Sequence, residues 1–134
     1  LKELNIAYLD LKEFINIKTK EYNIESNNYF LVGFSQGTML ALYTAIREKM
    51  SGVVGYSGAF IGKIIDTLEH RNDFLLIHGN EDKVVPVTKM YNAHEILKDK
   101  VNYIDTKVYN SLEHSINDKG LKAGCSFIQK RLNF

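Results

Sequence analysis

The stretch that most constrains this chain is Tyr29-Phe30-Leu31-Val32-Gly33-Phe34-Ser35-Gln36-Gly37, an apolar run entering Gly-x-Ser-x-Gly, with a helical pattern in Met39-Leu40-Ala41-Leu42-Tyr43 directly behind it. Apolar run, crowded turn and helix together spell strand, sharp turn, helix. A turn this tight holds Ser35 on strained backbone, and side chains at positions 33 and 37 are both expected to collide with the neighbouring strand or helix. The Ser35 hydroxyl then projects from the C-terminal end of the strand. Helix N–H groups behind it favour negative charge on a substrate oxygen. Gly-x-Ser-x-Gly alone is a weak pattern, because glycine and serine are common in loops; the strand before it and the helix after it give it weight.

The rest of the chain supplies the same kind of unit repeatedly. Residues 1 to about 20 form an amphipathic pattern, with Leu4, Ala7 or Tyr8, Leu11, and Phe14 or Ile15 recurring at helical spacing between charged residues. The polar run Glu25-Ser26-Asn27-Asn28 turns into the Ser35 strand, and a helix is expected from about Gln36 to Glu48. Gly52-Val53-Val54-Gly55-Tyr56-Ser57-Gly58 is a short β-rich run. Residues 59 to 72, carrying Ile61, Ile64, Ile65 and Leu68, suggest a short helix or a surface loop. Asp73 to His78 is almost wholly apolar, as a parallel strand covered on both faces should be. Pro86 restarts a helix with Met90, Ala93 and Leu97 on its apolar stripe. Tyr103 to Tyr109 alternates, which places it nearer an edge, and the last helix runs from about Asp118 to Leu132 with Leu121, Cys125, Ile128 and Leu132 inward. Helix, then strand and helix repeated, implies an α/β fold: a parallel sheet with helices on both faces.

Composition narrows the function classes. At 134 residues the chain is expected to be one domain, 1–134, long enough for a core. A net charge of +1 makes no electrostatic case for nucleic acid. No apolar run approaches the length that crosses a bilayer, and no signal peptide is visible. A single cysteine cannot close an internal disulfide, so a reducing, cytoplasmic setting is expected. Cys125 falls on the apolar side of the last helical pattern, where it reads as core rather than as a reactive thiol. No histidine, cysteine and carboxylate spacing suggests a metal site.

A serine hydroxyl is a poor nucleophile at neutral pH; it needs a histidine base, and that base needs an acid to fix its tautomer. The order Ser, Asp or Glu, His, each in a loop after a strand, suits one rim of a parallel sheet. Ser35 follows the first strand, Asp82 the third and His114 the fourth. Glu81 is the rival acid; Asp82 is preferred because Lys83-Val84-Val85-Pro86 follows it. His78, at the end of a buried strand, reads as a hydrogen-bonded structural residue, and His70 and His94 receive no catalytic role.

Gly33-Phe34-Ser35-Gln36-Gly37, Tyr56-Ser57-Gly58, the run from His78 to Pro86, and Glu113-His114 together resemble the phospholipase/carboxylesterase family of α/β-hydrolases, which includes the acyl-protein thioesterases. Ser35-Gln36-Gly37-Thr38-Met39, with threonine where many members have another glycine, looks most like the bacterial carboxylesterase branch. The resemblance runs from the first helix to the end of the chain. It implies an α/β-hydrolase sheet of about four parallel strands and a serine hydrolase of carboxylic esters, or thioesters, of short acyl substrates. Ser35 is then the nucleophile, Asp82 the acid, His114 the base and the N–H of Gln36 one oxyanion donor, with no cofactor. Glu113 stands where relatives commonly have glycine, which puts the tuning of the base at issue.

Family members open with several further strands and a His-Gly-x-Gly-type loop that supplies the second oxyanion donor. This chain opens on the helix that such relatives place before the nucleophile strand, so a C-terminal portion of the fold is expected: a fragment, a truncated gene or half of a split one. Tyr29 to Gly33 would then form a flat apolar sheet edge, and a homo-oligomer through that edge is expected. Loss of one oxyanion donor lowers turnover by about a hundred- to a thousandfold. Weak hydrolysis of small activated esters and a catalytically inactive assembly are the resulting alternatives.

Overall fold

Apolar runs that need cover on both faces build the centre of the molecule. The computed structural model describes residues 1–64 and 71–132. Strands β1 (Phe30–Phe34), β2 (Gly52–Tyr56), β3 (Asp73–Gly79) and β4 (Tyr103–Tyr109) lie side by side in that order, every pair parallel. The register sets Phe34 beside Tyr56, Tyr56 beside Ile77, and Gly79 beside Tyr109. The C-terminal ends of the strands therefore share one rim, and the loops that leave them meet there.

Helices α2 (Gln36–Ala45), α3 (Thr88–Leu97) and α4 (Asp118–Leu132) cover the sheet, and α1 (Lys2–Glu21) lies outside them. Strand alternation divides the core in two. Val53, Phe74 and Leu76 point to one face, where Ala41 and Leu42 of α2 and Met90, Ala93 and Leu97 of α3 close over them. Val54, Tyr56, Leu75 and Ile77 point to the other, against Phe127 of α4. Fully burying a side chain of the Val, Leu or Phe class contributes about 1.5–3 kcal/mol, so these two layers fix the sheet between its helices. Helix α1 packs on α2 rather than on the sheet: Tyr8 meets Tyr43 edge-on at 5.7 Å between centroids, and the Tyr43 hydroxyl donates to Asn5 Oδ1 at 3.0 Å. Ile15 turns inward and Phe14 outward, which settles that alternative.

Two expectations need correction. Helix α2 ends at Ala45, not Glu48: the Arg47 N–H bonds the Thr44 carbonyl three residues back instead of the Tyr43 carbonyl, which accepts from the Arg47 guanidinium at 2.8 Å. Helix α4 is rotated by about one residue: Gly120, Gly124 and Phe127 face inward, while Leu121 and Cys125 are exposed. Close approach is the reason. The Tyr56 hydroxyl donates to the Gly120 carbonyl at 2.8 Å, and a side chain at position 124 would meet that hydroxyl. Small residues permit the contact, and an apolar count gives them no weight. Between residues 59 and 64 the chain is irregular, with Ile64 packed against the core; Ile65, Leu68 and His70 lie outside the described residues. Among the described residues no helix is long and apolar enough to cross a membrane.

Candidate active site

Ser35 sits between β1 and α2 at φ 57°, a left-handed conformation that L-residues avoid. Such a position is strained by roughly 1–3 kcal/mol and persists because its surroundings over-determine it. The Ser35 N–H donates to the Tyr56 carbonyl at 2.9 Å, continuing the β1–β2 pairing one residue further. A Cβ on Gly33 would stand 2.5 Å from the Gly37 carbonyl carbon and the Thr38 nitrogen, so only glycine lets the helix fold back over the strand. Gly37 differs from expectation: a Cβ there would meet nothing within 4 Å, because that side of the helix faces open space. Thr38 is buried, donates to the Tyr56 carbonyl at 2.7 Å, and occupies space that glycine at position 58 leaves free. The N–H groups of Gln36 and Gly37 belong to the first turn of α2, which has no partners for them within the helix.

Ser35, Asp82 and His114 come together across the rim. His114 Nε2 lies 3.1 Å from Ser35 Oγ, and His114 Nδ1 lies 2.7 Å from Asp82 Oδ2. A carboxylate only accepts, so Nδ1 carries the hydrogen and Nε2 presents a lone pair to the serine hydroxyl. Asp82 is buried, and its Oδ1 accepts from the Val84 and Val85 N–H groups at 2.9 Å each. Burial pushes the carboxyl pKa up; the His114 hydrogen bond and the N–H groups of Val85 and Val84 outweigh it and hold the acid below its ordinary value.

Neighbours of these residues sort themselves by position. Glu81 is exposed, and so is Glu113, whose side chain makes no hydrogen bond or ion pair among the described residues. His94 lies on α3 beside Glu95, at 3.7 Å. Two further neighbours are Phe34, to which the sequence assigns no role beside the site, and His78, the buried histidine expected to be hydrogen-bonded and structural. The Phe34 ring lies against the His114 imidazole with centroids 4.8 Å apart, and His78 Nε2 lies 3.4 Å from Asp82 Oδ2. The spacing His78 to Asp82, four residues across a strand-ending turn, was the available signal for the second. Beside Gln36 and Gly37 an open groove of about 460 Å³ is lined mainly by Leu4, Ala7, Met39, Leu40 and Ile61. Among the described residues no cluster of histidine, cysteine and carboxylate side chains could hold a metal ion.

The sequence model of the phospholipase/carboxylesterase family matches residues 2–132. The chain belongs to that family. It is 31% identical over 121 residues to acyl-protein thioesterase 1 of Saccharomyces cerevisiae, covering 82% of this chain and 52% of the yeast protein. It is 25% identical over 112 residues to esterase YpfH of Escherichia coli, covering 82% of this chain and 48% of that protein. The crystal structure of esterase PE8 superimposes with a TM-score of 0.90 at 28% identity, covering 97% of this chain and 62% of that one. The chain thus spans about half the length of the curated relatives it matches. The four parallel strands are those of the α/β-hydrolase esterases.

Proposed function

We propose that this chain is a serine hydrolase that cleaves carboxylic esters, or in the same manner thioesters, of short acyl substrates. The observation that carries this is the unbroken relay from Ser35 Oγ through His114 to Asp82, with links of 3.1 Å and 2.7 Å. Membership in a family of esterases and thioesterases supports the choice of bond. Ser35 Oγ attacks the acyl carbon as His114 Nε2 takes its proton. Asp82 holds the Nδ1–H and offsets the charge that develops on the imidazole. The Gln36 N–H, at the positive end of α2, donates to the oxyanion. The tetrahedral intermediate collapses, and His114 returns the proton to the departing alcohol or thiol. Water, activated by the same imidazole, then attacks the acyl-serine and restores the enzyme; no cofactor takes part. A reducing, cytoplasmic setting belongs to the same reading, since the only cysteine has no internal partner.

A second reading has its own observation. β1 is an edge strand with Val32 and Phe34 exposed, and the chain spans about half of its curated relatives. The 1–134 unit is then the C-terminal portion of the hydrolase fold. It either associates with copies of itself through β1 without catalysing, or becomes active with a separate N-terminal piece. Hydrolysis of p-nitrophenyl butyrate by the wild type, by Ser35→Ala and by the wild type with that piece added separates the cases. Activity that disappears in Ser35→Ala supports the hydrolase. Equal rates in both proteins sink it, and activity only with the added piece assigns a split enzyme.

A further inference from the structure

His78 is a buried titratable side chain beside the site for which the proposed mechanism has no task. It stands at the end of β3, 1% exposed, with Nε2 2.7 Å from the Val85 carbonyl oxygen and 3.4 Å from Asp82 Oδ2. A carbonyl oxygen only accepts, so Nε2 carries the hydrogen and Nδ1 is left as a bare acceptor. Nδ1 has no hydrogen-bond partner among the described residues. The same N–H that binds Val85 therefore faces the Asp82 oxygen that receives His114 Nδ1–H.

The consequence is a carboxylate enclosed on every side that could hold it. Oδ1 is fixed by the Val84 and Val85 N–H groups, and Oδ2 lies between two imidazoles. At 3.4 Å the His78–Asp82 contact is long for a hydrogen bond, so the short bond to Val85 does most of the holding. That bond grips the carbonyl of the residue whose own N–H grips Oδ1. The terminal torsion of an aspartate is broad and weakly restrained by itself, so its aim depends on such neighbours.

We propose that His78 is a positioning residue that locks the Asp82–Val85 turn and keeps Oδ2 in line with His114. An apolar side chain of similar size would fill the space but orphan the Val85 carbonyl, and the carboxylate would be free to turn away from Nδ1. The catalytic consequence rests on the hydrolase reading; the aim of Oδ2 does not.

Two variants and two readouts test this. The variants are His78→Leu and His78→Gln, the second keeping an N–H that can reach the Val85 carbonyl. The readouts are steady-state hydrolysis of p-nitrophenyl butyrate and the downfield proton NMR resonance of His114 Nδ1–H. His78→Leu is expected to lower kcat about tenfold with KM within about twofold, as loss of a supporting hydrogen bond does elsewhere. Its Nδ1–H resonance should move upfield or broaden, and His78→Gln should restore most of both signals. A folded His78→Leu with wild-type turnover and an unmoved resonance overturns the proposal. Should His78→Leu fail to fold, His78→Ala takes its place: a wild-type resonance overturns the role, and a shifted or broadened one that His78→Gln restores supports it. If Ser35→Ala keeps wild-type hydrolysis, the hydrolase reading fails, while the resonance still decides the role of His78.

Discussion

The two edges of the sheet are built differently, although each sends one arm of the relay to the rim. β4, which leads to His114, sets Asp105 and Lys107 at exposed positions, and charges of this kind discourage a further strand from pairing. β1, which leads to Ser35, reads Phe-Leu-Val-Gly-Phe without a charge, and leaves Val32 60% and Phe34 41% exposed. One edge is made to end a sheet and the other is not. The same contrast runs through the loops. The 110–114 loop is clamped onto β3, where the Leu112 carbonyl lies against Gly79, while Gly37 beyond β1 faces open space. The loop that carries His114 is thus packed against its neighbouring strand, whereas Ser35 follows a strand whose outer side is open.

The comparison can be tested from its largest effect downward. If both edges serve one relay, Asp82→Asn should lower kcat by about ten-thousandfold, through loss of the correct His114 tautomer. An unchanged rate with p-nitrophenyl butyrate would detach the relay from hydrolysis altogether. The loops give the next effect. Gly79→Ala should destabilise the fold by about 3 kcal/mol in urea unfolding, because its Cβ meets the Leu112 backbone, whereas Gly37→Ala should be neutral or stabilising by up to about 1 kcal/mol. Equal losses at the two sites would erase the asymmetry. On the edges themselves, Val32→Lys should weaken self-association at least about tenfold in sedimentation, as a charge placed on an open strand does, with the monomer still folded. A wild type that sediments as a monomer at micromolar concentration would remove the premise. The smallest effect is confined to acid. The Asp82 pKa is lower in the folded state, so its contribution is present above the unfolded value of about 3.9 and is lost as pH falls through the folded one. Wild-type stability should therefore fall more steeply than that of Asp82→Asn below about pH 4, and parallel curves would contradict the hydrogen-bonded carboxylate.

Much of this arrangement was legible beforehand, for identifiable reasons. Four apolar runs punctuated by turns announce four strands, and Gly-x-Ser-x-Gly between strand and helix announces a strained serine. Parallel pairing then brings every strand-ending loop to one rim, so Ser35, Asp82 and His114 converge without any distance being known. Other features left no such trace. The inward face of α4 is set by glycines, which carry no hydrophobic signal, and a count of apolar residues placed Cys125 in the core. The steric demand expected at both glycines of the motif exists only at Gly33.

By itself, then, the order of residues determined which segments become strands and helices and which loops carry a hydroxyl, a carboxylate and an imidazole. Only the tertiary structure decided that His78 stands behind Asp82 and that Phe34 covers His114. The physical reason is that periodicity reports which side of an element prefers to leave water. The rotation of that element, and the aim of a single side chain, are set by close contacts between residues far apart in the chain.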